Sequence, residues 1–187
     1  MHVSLEGDGE RVQSAAAEDV DTRVCARVLL LDPSSRVLLF ECRDLADPGD
    51  AVRYWFTAGG GREGGESLEE AAAREVCEET GWSGLRLVGP LECREFDFTD
   101  HGVPRHQVEH FFAARTDGVV DVKVDGWTEL ERRAVTSWRW WSTDELEASD
   151  VTYFPENLVQ LVRRADVALD AELARQDPVA TDADSPS

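Results

Sequence analysis

At 187 residues the chain is long enough for one domain with a proper core, and its formal net charge of −20 argues against nucleic acid as the natural partner. No apolar run approaches a membrane span and the acidic N-terminus lacks the features of a signal peptide, so a soluble, cytoplasmic protein is expected. Cys25, Cys42, Cys77 and Cys93 are too widely spaced for a zinc pattern and read as free, mostly buried thiols.

Residues 1–20 are acidic, rich in Ala and Gly and without an apolar period. With residues 177–187 they are expected to be disordered arms around one domain over 21–176. Val24 to Leu31 and Arg36 to Cys42 are apolar, β-branched runs joined by Asp32-Pro33-Ser34-Ser35, which predicts a hairpin. After a polar loop, Val52 to Thr57 is a short strand that delivers the chain into a glycine-rich loop.

The stretch from Gly60 to Trp82 follows. Ser67 and Glu70 form a capping box, the alanines 71 to 73 carry a helix forward, and Gly81 suits the left-handed position beyond its last turn. Glu75, Glu78 and Glu79 stand at i, i+3 and i+4, on one face of that helix. Like charges so placed repel, and a hard divalent cation turns the repulsion into binding while bridging to a substrate phosphate. Glu66, just before the helix, can add an oxygen ligand or orient one. A solvated Glu-rich helix is the plain alternative.

Leu85 to Val88 and Leu91 to Phe98 read as strand interrupted at Gly89-Pro90, Thr99 to Pro104 as a connector, and Gln107 to Arg115 as the return strand. Val119 to Val124 is a candidate extension of the pairing, and Asp125 to Arg133 a loop or short helix. Val135 to Trp141 is another strand, with Trp138 and Trp140 on one face and Trp141 on the other. Ser142 or Thr143 caps a short helix, and Leu158, Leu161, Val162, Val167, Leu169 and Leu173 predict an amphipathic helix to about Arg175. His106, Glu109 and His110 raise a metal site, but alternation puts Glu109 opposite both histidines, and surface positions are the favoured reading.

The spacing Gly-x5-Glu-x7-Arg-Glu-U-x-Glu-Glu-x-Gly-U, with U bulky and apolar, is met by Gly60, Glu66, Arg74, Glu75, Val76, Glu78, Glu79, Gly81 and Trp82. Its fixed identities match by chance on the order of 10⁻⁸ per start position. This resembles the Nudix box, and the chain looks like a Nudix hydrolase. The resemblance implies an α/β/α sandwich with a mixed β-sheet between helices. It implies hydrolysis of a nucleoside diphosphate linked to another group, by water attacking phosphorus, with Mg²⁺ as cofactor and Mn²⁺ as a plausible substitute.

Under that resemblance the expected metal ligands are the Gly60 carbonyl, Glu78 and Glu79, with Glu75 a third ligand or the general base. Arg74 orients a glutamate. Arg27, Arg43 and Arg53 are plausible phosphate contacts, arginine having to serve because Lys123 is the only lysine. Glu129 and Glu131 are candidates for one more carboxylate from a later loop, an ordinary surface place being the favoured alternative. Family markers for ADP-ribose, diadenosine polyphosphates and NADH are absent past the box, where Phe96-Asp97-Phe98-Thr99 stands, which favours a nucleoside triphosphate or another small diphosphate. The expected partner is that small nucleotide, with no nucleic acid and no membrane, in a monomer or homodimer. Two other classes compete: a nucleotide sensor that binds without hydrolysis, and an acidic Ca²⁺-binding structural domain, for which no calcium-loop spacing is present.

Overall fold

The computed structural model describes residues 21–45, 47–100, 103–118 and 122–176. The two expected arms lie outside the described residues. Among the described residues eight strands form one mixed sheet, β5-β6-β1-β2-β3-β8, with β4 paired to β1 and β7 paired to β2.

Strand β1 (Asp21–Leu31) runs parallel to β6 (Val103–Arg115) along its full length. Its other edge is shared. Strand β2 (Val37–Arg43) touches β1 only where Leu31 faces Val37, and then leaves to pair with β3 (Arg53–Phe56) and β7 (Val135–Trp141). The predicted hairpin is therefore closed only at its turn. The vacated edge of β1 is taken by β4 (Ala58–Gly61), which pairs antiparallel from Val28↔Ala58 to Cys25↔Gly61. Half of the expected glycine loop is thus strand. Gly59 explains why glycine stands there: its φ is +126°, and a Cβ would lie 2.2 Å from the Ala26 carbonyl oxygen.

Strand β5 (Val88–Asp100) pairs antiparallel with β6, with an irregularity between Val88 and Glu92 where Gly89-Pro90 interrupts. Both strands run further than expected, so most of the predicted connector belongs to the ladder. No strand is formed by residues 122–124, and residues 119–121 lie outside the described residues.

The two faces of the sheet are both covered. Ala26, Val28, Leu30 and Phe112 face α1 (Leu68–Thr80), against which Ala71, Ala72 and Val76 are buried. Leu29, Leu31 and Phe111 face α4 (Leu158–Gln176), which buries Leu158, Leu161, Val162, Ala165 and Leu169, with Leu146 of α3 (Thr143–Ala148) beside them. This is the expected α/β/α sandwich. Two apolar positions predicted on the buried face of α4 are instead exposed, Val167 at 70% and Leu173 at 60%. Trp141 packs with the α4 side and Trp140 with the α1 side, as alternation requires. Helix α2 (Glu129–Ala134) starts with a capping box of Thr128 and Glu131. Strand β8 (Tyr153–Phe154) closes the edge beside β3. Among the described residues no helix is long and apolar enough to cross a membrane. All four cysteines are free, Cys25 and Cys42 buried, Cys77 and Cys93 exposed.

Candidate active site

Helix α1 begins and ends as its sequence demands. Ser67 and Glu70 satisfy each other's backbone N–H, and Gly81 adopts φ +80° while donating to the Cys77 carbonyl. The helix buries positions 71, 72, 75, 76, 79 and 80, a stripe set by packing on β1 and β4. Glu75 and Glu79 lie inside that stripe and Glu78 outside it. The three glutamates therefore part company. Glu75 and Glu79 line a cavity of about 240 Å³ with Gly59, Gly60 and Gly61, whereas the Glu78 side chain is 49% exposed.

Glu79 is fixed from the strand it faces. The Gly59 N–H donates to Glu79 Oε2 at 2.8 Å, and Arg27 Nη1 donates to the Gly59 carbonyl at 2.5 Å. Burial pushes the Glu79 carboxyl up to about 8, against the downward pull of the Gly59 N–H and Arg27. Burial also raises Glu75, against the pull of Arg74. Gly60 allows Glu75 to lie on the backbone: a Cβ there would come within 2.5 Å of its carboxylate.

Arg74 ties the box together. Its Nη1 donates to Glu75 at 2.9 Å and to Glu78 at 3.0 Å, while Nη2 donates to Glu66 at 2.8 Å and to the Gly61 carbonyl at 3.0 Å. Glu66 accepts further from Arg74 Nε and from the Glu63 N–H, and Arg74 brings its carboxyl down to about 2. Both Glu66 oxygens are thus engaged in orienting.

A third acid arrives from far along the chain. Trp127 donates its indole N–H to the Glu79 carbonyl at 2.8 Å, and Lys123 N–H donates to the Thr80 carbonyl, so the segment before α2 docks on the end of α1. Gly126 is needed for that docking, since a Cβ would meet the Glu78 carbonyl at 2.4 Å. Helix α2 then presents Glu131, and oxygens of Glu75, Glu79 and Glu131 lie within 4.8 Å of one another. Thr128 engages only Oε2 of Glu131. Glu129 is exposed.

Three clustered carboxylates, two of them buried, with one held well above the usual carboxylate range, fit a divalent cation. With its carboxyl at about 8, Glu79 keeps a proton in the metal-free chain at neutral pH, and a cation binding there would have to displace it. This gives a stability signature. From about pH 4.5 to about 8 the folded state holds a proton that the unfolded state lacks, so the contribution is complete below that window and lost as pH rises through about 8. In thermal melts, added Mg²⁺ should raise Tm by several degrees more at pH 8.5 than at pH 5.5. An equal increment at both would mean that the cation does not sit on Glu79.

Of the predicted phosphate contacts, Arg27 lines the cavity. Arg43 binds the Arg133 carbonyl and Arg53 the Asp50 and Val52 carbonyls, each also paired with Asp50, and neither lines the cavity. Arg23 does line it, beside Gly61, and escaped the sequence reading. Its signal was the alternation 23-25-27 on β1, which puts it on the side of Arg27.

Glu109 is no surface residue. Its carboxylate is 3% exposed and accepts from Arg27 Nε at 2.9 Å, Arg94 Nε at 2.6 Å and Gln107 Nε2 at 2.7 Å. Burial pushes its carboxyl up, but Arg27 and then Arg94 outweigh burial and leave it lowered. His106 instead pairs with Asp97 and Glu95 at the surface.

A carboxylate cluster under a glycine strand, with orienting arginines around it, is set in an α/β/α sandwich and could hold a divalent cation. The chain belongs to the Nudix family, whose domain model matches residues 21–162. Nudix hydrolases act on phosphoric anhydride bonds. The chain is similar to an RNA pyrophosphohydrolase of Erythrobacter litoralis, 31% identical over 149 residues, covering 71% of this chain and 84% of the relative. An RNA pyrophosphohydrolase of Caulobacter vibrioides is 33% identical over 130 residues, covering 63% and 70%. Among solved structures, the Escherichia coli dihydroneopterin triphosphate pyrophosphohydrolase superposes with TM-score 0.56 at 22% identity, covering 81% of this chain and 99% of that one. A Caenorhabditis elegans Ap4A hydrolase does so with TM-score 0.53 at 17% identity, covering 80% and 98%. At such identities the solved structures speak for the fold alone.

Proposed function

We propose that this chain is a Mg²⁺-dependent pyrophosphohydrolase, able to use Mn²⁺, that cleaves a nucleoside triphosphate or another small nucleotide diphosphate derivative. The observation that carries the reading is the convergence of Glu75, Glu79 and Glu131 in one cavity whose wall includes Arg27 and Arg23. Glu79 and Glu131 would hold the cation, with the Gly60 carbonyl beside them, which leaves Glu75 as the base. When bound, the cation neutralises the diphosphate and lowers the pKa of water.

The chain's own residues do the rest. Arg27 and Arg23 face the phosphates; with its Nε on Glu109 and its Nη1 on the Gly59 carbonyl, Arg27 turns Nη2 to a phosphate oxygen. Glu75, raised by burial and held by Arg74, accepts a proton from the attacking water as its oxygen bonds to phosphorus and the bridging P–O bond breaks. Arg74 and Glu66 keep that carboxylate in place. Glu78 lies outside the cavity lining, accepts from Arg74 and acts through it.

Hydrolysis of GTP, ATP, CTP and UTP, each with Mg²⁺ and with chelator, tests the reading. Metal-dependent release of phosphate or pyrophosphate is expected. Nucleotide affinity without turnover would favour a sensor. A 5′-triphosphate RNA oligonucleotide belongs in the same panel, because relatives at 31–33% identity carry the name RNA pyrophosphohydrolase. Turnover of the oligonucleotide alone would replace the mononucleotide reading, which the −20 charge favours because it makes a poor docking surface for a longer polyanion. Glu131→Gln should raise the Mg²⁺ concentration for half-maximal rate by roughly 10-fold or more. An unchanged requirement would remove Glu131 from the site.

A further inference from the structure

A second, larger cavity of about 580 Å³ adjoins the acidic one, with Arg27 and Phe56 in the walls of both. Its size is that of a small-molecule site. Tyr54, Phe56, Phe96 and Phe154 supply aromatic faces. Of the polar groups, Arg94, Gln107 and Glu109 share one face of the β5–β6 ladder, and Arg27, Thr57, Glu95 and Glu156 complete the wall. In that ladder Arg94 stands opposite Glu109, and Phe96 opposite Gln107.

The polar groups are held in a fixed pattern. Glu109 takes the Nε–H of Arg94, whose guanidinium also lies over the Phe96 ring at 4.7 Å. That bond leaves the Nη groups as donors in the cavity wall. Gln107 gives its amide N–H to Glu109, an ionised carboxylate that can only accept, so its amide oxygen must point the other way. A fork of donors thus lies one cross-strand step from a fixed acceptor, between aromatic faces.

We propose that this cavity is a base subsite selective for a 6-oxopurine, guanine foremost, with Arg94 donating to O6 and N7 and Gln107 accepting from N1–H or the 2-amino group. The proposal rests on the nucleotide-hydrolase reading for its purpose, since the cavity abuts the carboxylates. Arginine donating to O6 and N7 of guanine is a pairing that geometry favours. Adenine fails here on both counts: its 6-amino group meets the donors of Arg94, and its N1 meets the oxygen of Gln107.

The test separates base from chemistry. Guanosine, inosine, adenosine and cytidine are titrated calorimetrically into the full chain in chelator, and kcat/KM is measured for GTP and ATP with Mg²⁺. Guanosine and inosine should bind roughly 10- to 100-fold more tightly than adenosine, and GTP should be preferred over ATP to match. Arg94→Leu should erase the preference by weakening guanosine. Arg94→Lys, which keeps a cation on Glu109 but loses the fork, should erase most of it and so guard against a folding artefact. Adenosine binding as tightly as guanosine, or a preference that survives both variants, overturns the proposal. Guanosine selectivity without turnover of any triphosphate would sink the hydrolase reading and leave the base subsite standing. Turnover with no base preference would do the reverse.

Discussion

Glu79→Gln is expected to lower kcat by about 10³-fold or more while leaving the fold intact. Losing a charged ligand forfeits several kcal/mol of charge stabilisation in the transition state, and each 1.4 kcal/mol is tenfold in rate. The fold survives because the amide is the same size and still offers an oxygen to the Gly59 N–H. The neutral side chain is also the cheaper one to bury. Burial already holds the Glu79 carboxyl at about 8, so the metal-free protein at neutral pH carries it protonated. The variant should therefore melt at or above the wild-type temperature without metal, and should lose most of the Tm gain on adding Mg²⁺. Rate and melting must be read together. A slow variant that melts early would be a damaged protein, and a variant with undiminished turnover would take Glu79 out of the mechanism.

That contrast with Glu78 shows what a sequence can and cannot reveal. The box spacing placed three glutamates on one side of a helix with sound caps, and the helix is there with both caps formed. Which of the three face the cavity depends on where β1 and β4 lie, and their offsets of roughly 40° to 100° around the axis are too close to separate by periodicity alone. The glycines before the helix read as loop because glycine is weak strand material, yet only glycine permits β4 to approach β1 so closely. Glu131 looked like one surface carboxylate among many. Its place is fixed by Trp127 bonding the Glu79 carbonyl across 48 positions, a contact with no local signature. Glu109 was misread for the same reason: its partner Arg27 is 82 positions away. Alternation located its face correctly but said nothing of what waited there.

Glu109→Ala is expected to cost about 3–5 kcal/mol of folding stability and to impair catalysis at a distance. The carboxylate is 3% exposed and its arginine partners are 17% and 27% exposed, so both cations are largely out of water. Removing the anion leaves Arg27 and Arg94 repelling each other across a cavity, and breaking one partner of a buried pair carries a cost of that size. Catalysis suffers through Arg27, whose Nη1 holds the Gly59 carbonyl while the N–H of the same residue holds Glu79. Once Arg27 is loosened, the strand that positions the carboxylate loses its brace. Glu109→Gln should fall between, keeping acceptor geometry on one oxygen but not the charge. Urea unfolding of the three proteins, with kcat at saturating Mg²⁺, checks both halves. A loss below about 1 kcal/mol, the scale of an exposed pair, would mean that solvent reaches the triad and that Arg27 is held by Gly59 alone.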